Sequence, residues 1–182
     1  LGYSPERINP GEKVHSVDKI IKVIAGEDDA VTETMAQVYG AITSAGVFRA
    51  ASIRAAEAAK VIENAQRDIN VAFMNEVTQI MAQIGVSAWD VLDAAKTKPV
   101  GFQAFSPGPG LGGHCMPIDP YYLTWVARAY GVHTRFIELA GEINTAMPHH
   151  VIDRVIAALN DRGRSLKGSR ILVLGAAYKP NV

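Results

Sequence analysis

The sequence has a single cysteine among its 182 residues, Cys115, so it cannot form an internal disulfide bond. Disulfides are rare in reducing compartments, and this cysteine count therefore predicts a cytoplasmic protein. No apolar run approaches the roughly 20 residues that a membrane-spanning helix needs. The first residues also lack the apolar segment of a secretory signal. We therefore predict no membrane partner.

Net charge is also missing, because 18 basic residues balance 18 acidic residues. A chain without a net electrostatic field is not drawn to nucleic acid, so we predict no nucleic-acid partner. The histidines and the cysteine show no spacing typical of a zinc site, and we expect no metal. His114 precedes Cys115 directly. Because neighbouring side chains usually point apart, we do not expect a catalytic Cys–His pair.

Helix-forming residues dominate the middle of the chain, where neither proline nor glycine occurs from residue 52 to 84. This stretch predicts one long helix that is closed by Gly85. Other helices are predicted from Asp28 or Asp29 to about 42, over 87–98, over 121–131, and over 134–161 with Pro148 as a break or new first turn. Extended segments are predicted over 19–26, 46–50 and 171–174, and a loop over 3–13. The fold class that follows is mainly α with incomplete α/β pieces at both ends, and we expect the chain to be a fragment.

A polar stripe follows one face of the long helix. Lys60, Asn64 and Arg67 are separated by four and three residues, which places them on the same side, and Asn75 lies further along. A solvated helix face would explain the charges alone. Asparagine is a poor helix former, however, and the remaining circumference is largely apolar, which is typical of a buried helix whose polar stripe faces a partner or a cleft. The pattern allows both interpretations.

Cys115 ends the glycine-rich segment PGPGLGGHC, and Asp119 follows four residues later. Glycines allow a ligand to approach the backbone closely, and their N–H groups can bind phosphate oxygens. A thiolate is a nucleophile, a nearby ammonium such as Lys60 would favour it, and Asp119 could accept a proton or orient a water. A lone cysteine is also often a small buried hydrophobe. The residues alone leave both interpretations of Cys115 open.

Four segments together resemble the UDP-glucose/GDP-mannose (nucleotide-sugar) 6-dehydrogenase family. They are YSPERINPG, EAAKVIENAQRDINVAFMNE, FSPGPGLGGHCMPIDPYYLTW and ILVLGAAYKPNV. The resemblance implies a central dimerisation domain like the C-terminal domain of 6-phosphogluconate dehydrogenase. It divides the chain into three parts. Residues 1–46 are the remnant of an NAD-binding domain, residues 47–147 are the central helical domain, and residues 148–182 are the start of a UDP-binding domain. It also implies a homodimer formed through the central helix.

The resemblance implies oxidation of a sugar C6 hydroxyl to a carboxylate in two steps through a cysteine thioester. The implied catalytic residues are Cys115, Lys60, Asn64, Asp119 and Glu6, and the implied substrate-binding residues are Arg7, Phe105, Gly108, Gly112, Tyr178 and Lys179. The implied cofactor is NAD. The family's Gly-rich fingerprint, G-x-G-x-x-G after its first strand, is expected to be missing, and we expect this spacing nowhere in the chain. The cofactor-binding residues are therefore unknown, and the chain alone is expected to be inactive.

The substrate implied is a UDP-N-acetylhexosamine, because SPERINPG and PGPGLGGHCMPIDP are most similar to the UDP-N-acetylglucosamine 6-dehydrogenase branch. Arg7 stands where the UDP-glucose branch usually has an apolar residue, and we hypothesise that it accommodates the 2-acetamido group. A UDP-glucose 6-dehydrogenase is the alternative within the family. An isolated dimerisation module and a hydroxy-acid dehydrogenase are the alternatives outside this activity, although the latter has no use for Cys115.

Overall fold

The computed structural model describes residues 1–8, 16–175 and 177. They form two compact units, the first comprising residues 1–8, 16–63 and 177 and the second comprising 64–175. The sequence-based prediction for Tyr178 and Lys179 lies outside the described residues. Within the described part of the chain, no helix combines the length and the apolar character that crossing a membrane requires.

The first unit contains a three-stranded sheet in the order β1-β2-β3, with strands Gly2–Tyr3, Lys22–Gly26 and Val47–Arg49. Strand β2 pairs antiparallel with β1 and parallel with β3. The predicted extended segments at β2 and β3 are confirmed. The loop predicted from Tyr3 is wrong at its start, because the two-residue pairing in β1 is made by backbone groups and is too short to show an alternating apolar pattern.

Helix α1, Asp29–Gly40, connects β2 to β3. Its N-cap is Asp28, whose side chain accepts a hydrogen bond of 2.7 Å from the Val31 amide. This carboxylate satisfies one of the amides that a helix N-terminus leaves without an internal partner. Behind the sheet, Val23 and Ala25 pack with Ala56 of the next helix. The first unit therefore has a small apolar core of its own.

Helix α2, Ile53–Gln83, is 31 residues long, or about 46 Å, and confirms the predicted long helix. Gly85, with a φ of +73°, follows its end. The largely apolar circumference of this helix predicts burial on all sides. This prediction is wrong, because Ile62, Phe73 and Ile80 are half exposed. The residues buried in α2 are four apolar ones and three polar ones: Ala56, Ala65, Ala72, Met74, Asn64, Asp68 and Asn75.

The second unit adds helices α3, Ala88–Ala95, α4, Asp119–Ala129, and α5, Arg135–Asn160. Helix α5 continues through Pro148, so the predicted break at this proline is wrong. A proline removes one hydrogen bond of a helix, and a helix that packs against neighbours can keep its course despite that loss. The glycine- and proline-rich stretch before α4 has no regular secondary structure.

The predicted strand over 171–174 is also wrong. Residues 171–174 form no strand, and Leu172 and Leu174 are more than 80% exposed. A strand needs a hydrogen-bonded neighbour, and none of the described residues supplies one at this position. The described chain is therefore mainly α, with its only described sheet in the first unit, which confirms the predicted fold class.

Candidate functional site

Asn64 and Asp119 are in direct contact in the second unit, although 55 residues separate them along the chain. Asn64 lies on the buried side of α2 and is 4% exposed. Its side-chain Nδ2 donates a hydrogen bond of 2.6 Å to Oδ2 of Asp119, the first residue of α4. An amide donor bonded to a carboxylate fixes the orientation of both groups. Two of the predicted catalytic residues thus form one pair.

Cys115 occupies the turn that leads into α4. Its carbonyl oxygen accepts hydrogen bonds from the amides of Asp119, at 2.8 Å, and Ile118, at 3.2 Å. The thiol is free, and the residue is exposed. The interpretation of Cys115 as a small buried hydrophobe is therefore wrong. The structure groups the thiol-bearing residue, Asp119 and Asn64 through one hydrogen-bonded turn and one side-chain contact.

Lys60 precedes Asn64 by four residues on α2, which is one turn or about 6 Å along the axis. Lys60 is half-buried, and its ammonium has no hydrogen-bonding partner among the described residues. Both side chains project from the same face of the helix because i and i+4 positions lie above each other.

Glu6 and Arg7 lie in the first unit. Oε1 of Glu6, an exposed residue, accepts a hydrogen bond of 2.6 Å from the Ile8 amide. Arg7 is held by two contacts: one nitrogen lies 2.8 Å from Oε1 of Glu63 on α2, and another donates to the Ile21 carbonyl at 3.0 Å. A guanidinium has five N–H donors. Arg7 therefore retains donors for a ligand after both contacts.

The glycine-rich segment lies against α5. Its Gly108 amide donates a hydrogen bond of 2.9 Å to Oδ1 of Asn75 on α2. Gly110 has a φ of +129°, and a Cβ there would lie 3.4 Å from the Asn144 carbonyl oxygen and 3.6 Å from the Pro148 ring. Phe105, two residues before this segment, is half-buried, and Gly112 within it is exposed. These residues thus lie on the stretch that leads to Cys115.

Gly108, Gly110 and Gly113 have the spacing G-x-G-x-x-G, so the expectation that this spacing is missing is wrong. In a dinucleotide-binding turn the motif follows a strand and opens a helix. Residues 102–107 form no strand, and α4 begins only at Asp119. The segment therefore lacks the structural context of that turn, and we assign no residue of this chain to a dinucleotide.

A fully buried polar network lies next to this segment, and sequence reasoning did not identify it. Asn75, Asn144 and Asp68 are each at most 3% exposed. Nδ2 of Asn75 donates to Oδ1 of Asn144 at 2.8 Å, and Nδ2 of Asn144 donates to Oδ1 of Asp68 at 2.7 Å and to the Asp68 carbonyl at 3.1 Å. The sequence indicates Asn75 as one of the asparagines on the polar stripe of the long helix. Nothing in the local sequence marks the other two.

Residues 54–146 match the central domain of the UDP-glucose/GDP-mannose dehydrogenase family, and this match covers just over half of the chain. The chain belongs to this family. The resemblance seen in the sequence is thereby confirmed. The match favours this family over the alternative of a hydroxy-acid dehydrogenase. The matched region includes Lys60, Asn64, Cys115 and Asp119.

Two curated relatives of this chain are protein CapL of Staphylococcus aureus, 45% identical over 181 residues, and the UDP-N-acetyl-D-glucosamine 6-dehydrogenase of Pseudomonas aeruginosa, 43% identical over 180 residues. The alignments cover 100% and 99% of this chain but 42% of each relative. The native structure of the UDP-N-acetyl-mannosamine dehydrogenase Cap5O from S. aureus is similar with a TM-score of 0.80 at 31% identity, covering 100% of this chain and 40% of that one. The chain thus spans about two fifths of these relatives.

Asp68 of the buried network supplies a prediction on the stability of this protein. Burial raises the pKa of the Asp68 carboxyl above its ordinary value, and the hydrogen bond from Asn144 opposes that rise only in part. The folded state then binds more protons than the unfolded state, so the contribution of Asp68 to stability falls as the pH rises above about 4. We expect Asp68→Asn to gain stability relative to the wild type as the pH increases from 4.5 to 7.5.

Urea unfolding of both proteins at these two pH values checks this expectation. The same substitution at Asp153, which is exposed on α5, serves as the control because its side chain is in water in both states. If the difference in unfolding midpoint between the wild type and Asp68→Asn stays constant with pH, the carboxyl is not destabilised by burial.

Proposed function

We propose that the full-length protein is an NAD-dependent UDP-N-acetylhexosamine 6-dehydrogenase that oxidises the C6 hydroxyl of the sugar to a carboxylate through a thioester on Cys115. The observation that carries the proposal is the exposed thiol of Cys115 in the turn before Asp119, whose carboxylate is bonded to Asn64. The name of the P. aeruginosa relative supports the substrate class. The proposed division into domains 1–46, 47–147 and 148–182 belongs to the same proposal.

The thiol of Cys115 acts on the aldehyde stage of this reaction. Its thiolate attacks C6 of the aldehyde, a C–S bond forms, and the carbonyl oxygen takes a proton to give a thiohemiacetal. Loss of a hydride from C6 and of the hydroxyl proton leaves a thioester. Water then adds to the carbonyl carbon, and the C–S bond breaks to release the carboxylate, the thiol and a proton. NAD+ supplies the oxidising power for both two-electron steps, and none of this chain's residues is assigned to holding it. An exposed sulfur can be reached by the sugar, as this chemistry requires.

The residues around the thiol stabilise charge and move protons. Asn64 and Lys60 would donate to the oxygen on C6 when it becomes negative, and each preorganised donor of this kind contributes on the order of 3–4 kcal/mol. Only one of the two Nδ2 hydrogens of Asn64 is used by Asp119 among the described contacts. Asp119 would position the water and accept its proton, and Glu6 would assist the hydrolysis.

Substrate binding falls to the glycine-rich segment and to residues near both ends of the chain. Phe105, Gly108 and Gly112 would contact the UDP-sugar from the segment before Cys115, and Tyr178 and Lys179 complete the proposed set. Arg7 would donate to the carbonyl of the 2-acetamido group with the N–H groups that Glu63 and Ile21 leave free. UDP-glucose has no such carbonyl, so this contact would favour the N-acetylated sugar.

A homodimer formed through the central helix is part of this proposal. Ile62, Phe73 and Ile80 are 57%, 54% and 49% exposed on α2. Their spacings of 11 and 7 residues place them on one stripe of the helix, because 11 and 18 residues are close to whole numbers of turns. A second copy of the helix would remove this apolar stripe from water. The isolated chain would then act only as a dimerisation module. We also propose that the full-length protein is cytoplasmic.

The experiment that tests the proposed function supplies NAD+ and either UDP-N-acetylglucosamine or UDP-glucose to the full-length protein. We expect two NADH for each acid formed and a higher kcat/KM for the N-acetylated sugar. The 182-residue chain alone serves as the control and is expected to form no NADH. Preference for UDP-glucose would overturn the substrate assignment and the role of Arg7, and one NADH per sugar would overturn the thioester route.

A further inference from the structure

The buried network of Asn75, Asn144 and Asp68 has only one self-consistent arrangement of donors and acceptors. The Gly108 amide can only donate, so Asn75 must present its oxygen to the segment and its nitrogen to Asn144. Asn144 must then present its oxygen to Asn75 and its nitrogen to the two oxygens of Asp68. Turning either amide around would place like groups against each other. The network therefore specifies one position for the Gly108 amide.

This arrangement is costly to disturb because its side chains are shielded from water. Asn75 is 0% exposed, Asp68 2% and Asn144 3%. A buried polar group that loses its partner cannot replace it with solvent, so each bond in the network depends on the next one. Displacement of the segment at Gly108 would leave the oxygen of Asn75 without its donor. The described hydrogen bonds thus connect the Gly108 amide, through Asn75 and Asn144, to the carboxylate of Asp68.

Helix α5 contacts the same segment a second time at Gly110. Pro148 has no amide hydrogen, so the carbonyl of Asn144 lacks its usual partner four residues later in the helix. Gly110 lies against that carbonyl and the Pro148 ring, and its φ of +129° is a conformation that residues with a side chain rarely adopt. The proline that failed to break α5 therefore lies where the segment contacts the helix.

We propose that Asn75, Asn144 and Asp68 are positioning residues for the glycine-rich segment 108–115, acting through the amide of Gly108. The segment is then held at two ends, by this network at Gly108 and by the Asp119 amide at Cys115. The intervening Gly112 and Gly113 are exposed, so a ligand can reach their backbone. The activity part of this proposal rests on the proposed function, because it assumes that the segment binds the sugar nucleotide and carries the nucleophile.

A change in polarity of the network tests the proposal in the full-length protein. Asn144→Asp places a carboxylate opposite the Asp68 oxygens, and we expect kcat/KM to fall about 10- to 100-fold because displacement of reacting groups by about 1 Å has effects of this size. The double variant D68N/N144D supplies a donor at position 68 to the new carboxylate. The double variant should regain most of the kcat/KM that Asn144→Asp loses. If the network served folding alone, Asn144→Asp and the double variant would have the same kcat/KM when their thermal stabilities are equal.

Asn70→Asp is the matched control, because Asn70 is another asparagine of α2 and its side chain donates, among the described residues, only to the Gln66 carbonyl of its own helix. We expect it to retain wild-type kcat/KM. If Asn144→Asp does not fold, Gly110→Ala displaces the segment from the α5 side and should lower kcat/KM in the same range. Equal activity of Asn144→Asp and Asn70→Asp, or a double variant no better than the single one, would overturn the proposal.

Amide hydrogen exchange at Gly108 gives a readout that does not depend on activity. We expect exchange at Gly108 to accelerate in Asn144→Asp, to return towards the wild-type rate in D68N/N144D, and to remain unchanged in Asn70→Asp. An unchanged rate in Asn144→Asp overturns the proposal even when activity falls. If the wild type oxidises no UDP-sugar, the proposed function fails, and the exchange rates still decide whether the network positions the segment.

Discussion

Replacement of Cys115 by serine in the full-length protein is expected to lower the rate of acid formation on the order of 10³-fold or more, because removal of a nucleophile has effects of at least this size. A serine hydroxyl is far less acidic than a thiol, so it supplies almost no anion to attack the aldehyde. An alkoxide is also a poorer leaving group than a thiolate. The variant should bind the UDP-sugar with little change, since Cys115 is exposed, its thiol forms no disulfide, and a hydroxyl is similar to a thiol in shape.

Mass spectrometry of the sugar product measures this effect, with NADH absorbance followed in parallel. His114→Gln is the matched control because His114 is the exposed neighbour of Cys115, and no Cys–His pair is expected. It should form acid at the wild-type rate. Acid formation by the serine variant at a rate close to that of His114→Gln would contradict the thioester route, and loss of activity in both would favour a Cys–His pair.

The sequence predicts the helices well where their formation depends on local residue types. The long helix was expected over 52–84 and is observed as Ile53–Gln83, because a stretch without glycine or proline favours a helix throughout. Pro148 shows the limit of this reasoning. A proline removes a hydrogen bond locally, but α5 continues because tertiary contacts decide whether the helix ends. The exposed apolar residues 171–174 show the same limit, since burial depends on neighbours that are not local.

The candidate site is likewise predictable only in its local parts. The four-residue spacings of Lys60 with Asn64 and of Cys115 with Asp119 are visible in the sequence, and each pair lies within one helical turn or capping turn in the structure. The contact between Asn64 and Asp119 could be expected only from the family resemblance or seen in the fold, because 55 residues separate the two along the chain. No local pattern could reveal Asn144, because an asparagine in an amphipathic helix has the same composition signal whether it faces water or a buried carboxylate.

Replacement of Asn64 by aspartate is expected to lower kcat about 10²- to 10³-fold at neutral pH, the range observed when one preorganised donor to an oxyanion is lost. The new side chain has nearly the same shape as Asn64 but offers no N–H group. It also places a carboxylate where the amide now lies 2.6 Å from Oδ2 of Asp119. Two carboxylates this close cannot both ionise, so one of them holds a proton to a higher pH than usual.

That shared proton gives the prediction a distinctive pH dependence. At low pH the protonated oxygen can donate across the pair in place of the amide, so the activity of Asn64→Asp relative to the wild type should rise as the pH falls. Asn70→Asp introduces the same charge on the same helix and should show no such trend, because Gln66 is the one hydrogen-bonding partner of Asn70 in the described part of the chain. A loss in Asn64→Asp that is the same at every pH would mean that the variant lacks the donor to the reacting oxygen, which a proton shared with Asp119 does not replace, whereas a loss that disappears at low pH would mean that the amide serves the α2–α4 contact. The two pH–rate profiles therefore distinguish a catalytic amide from a structural one.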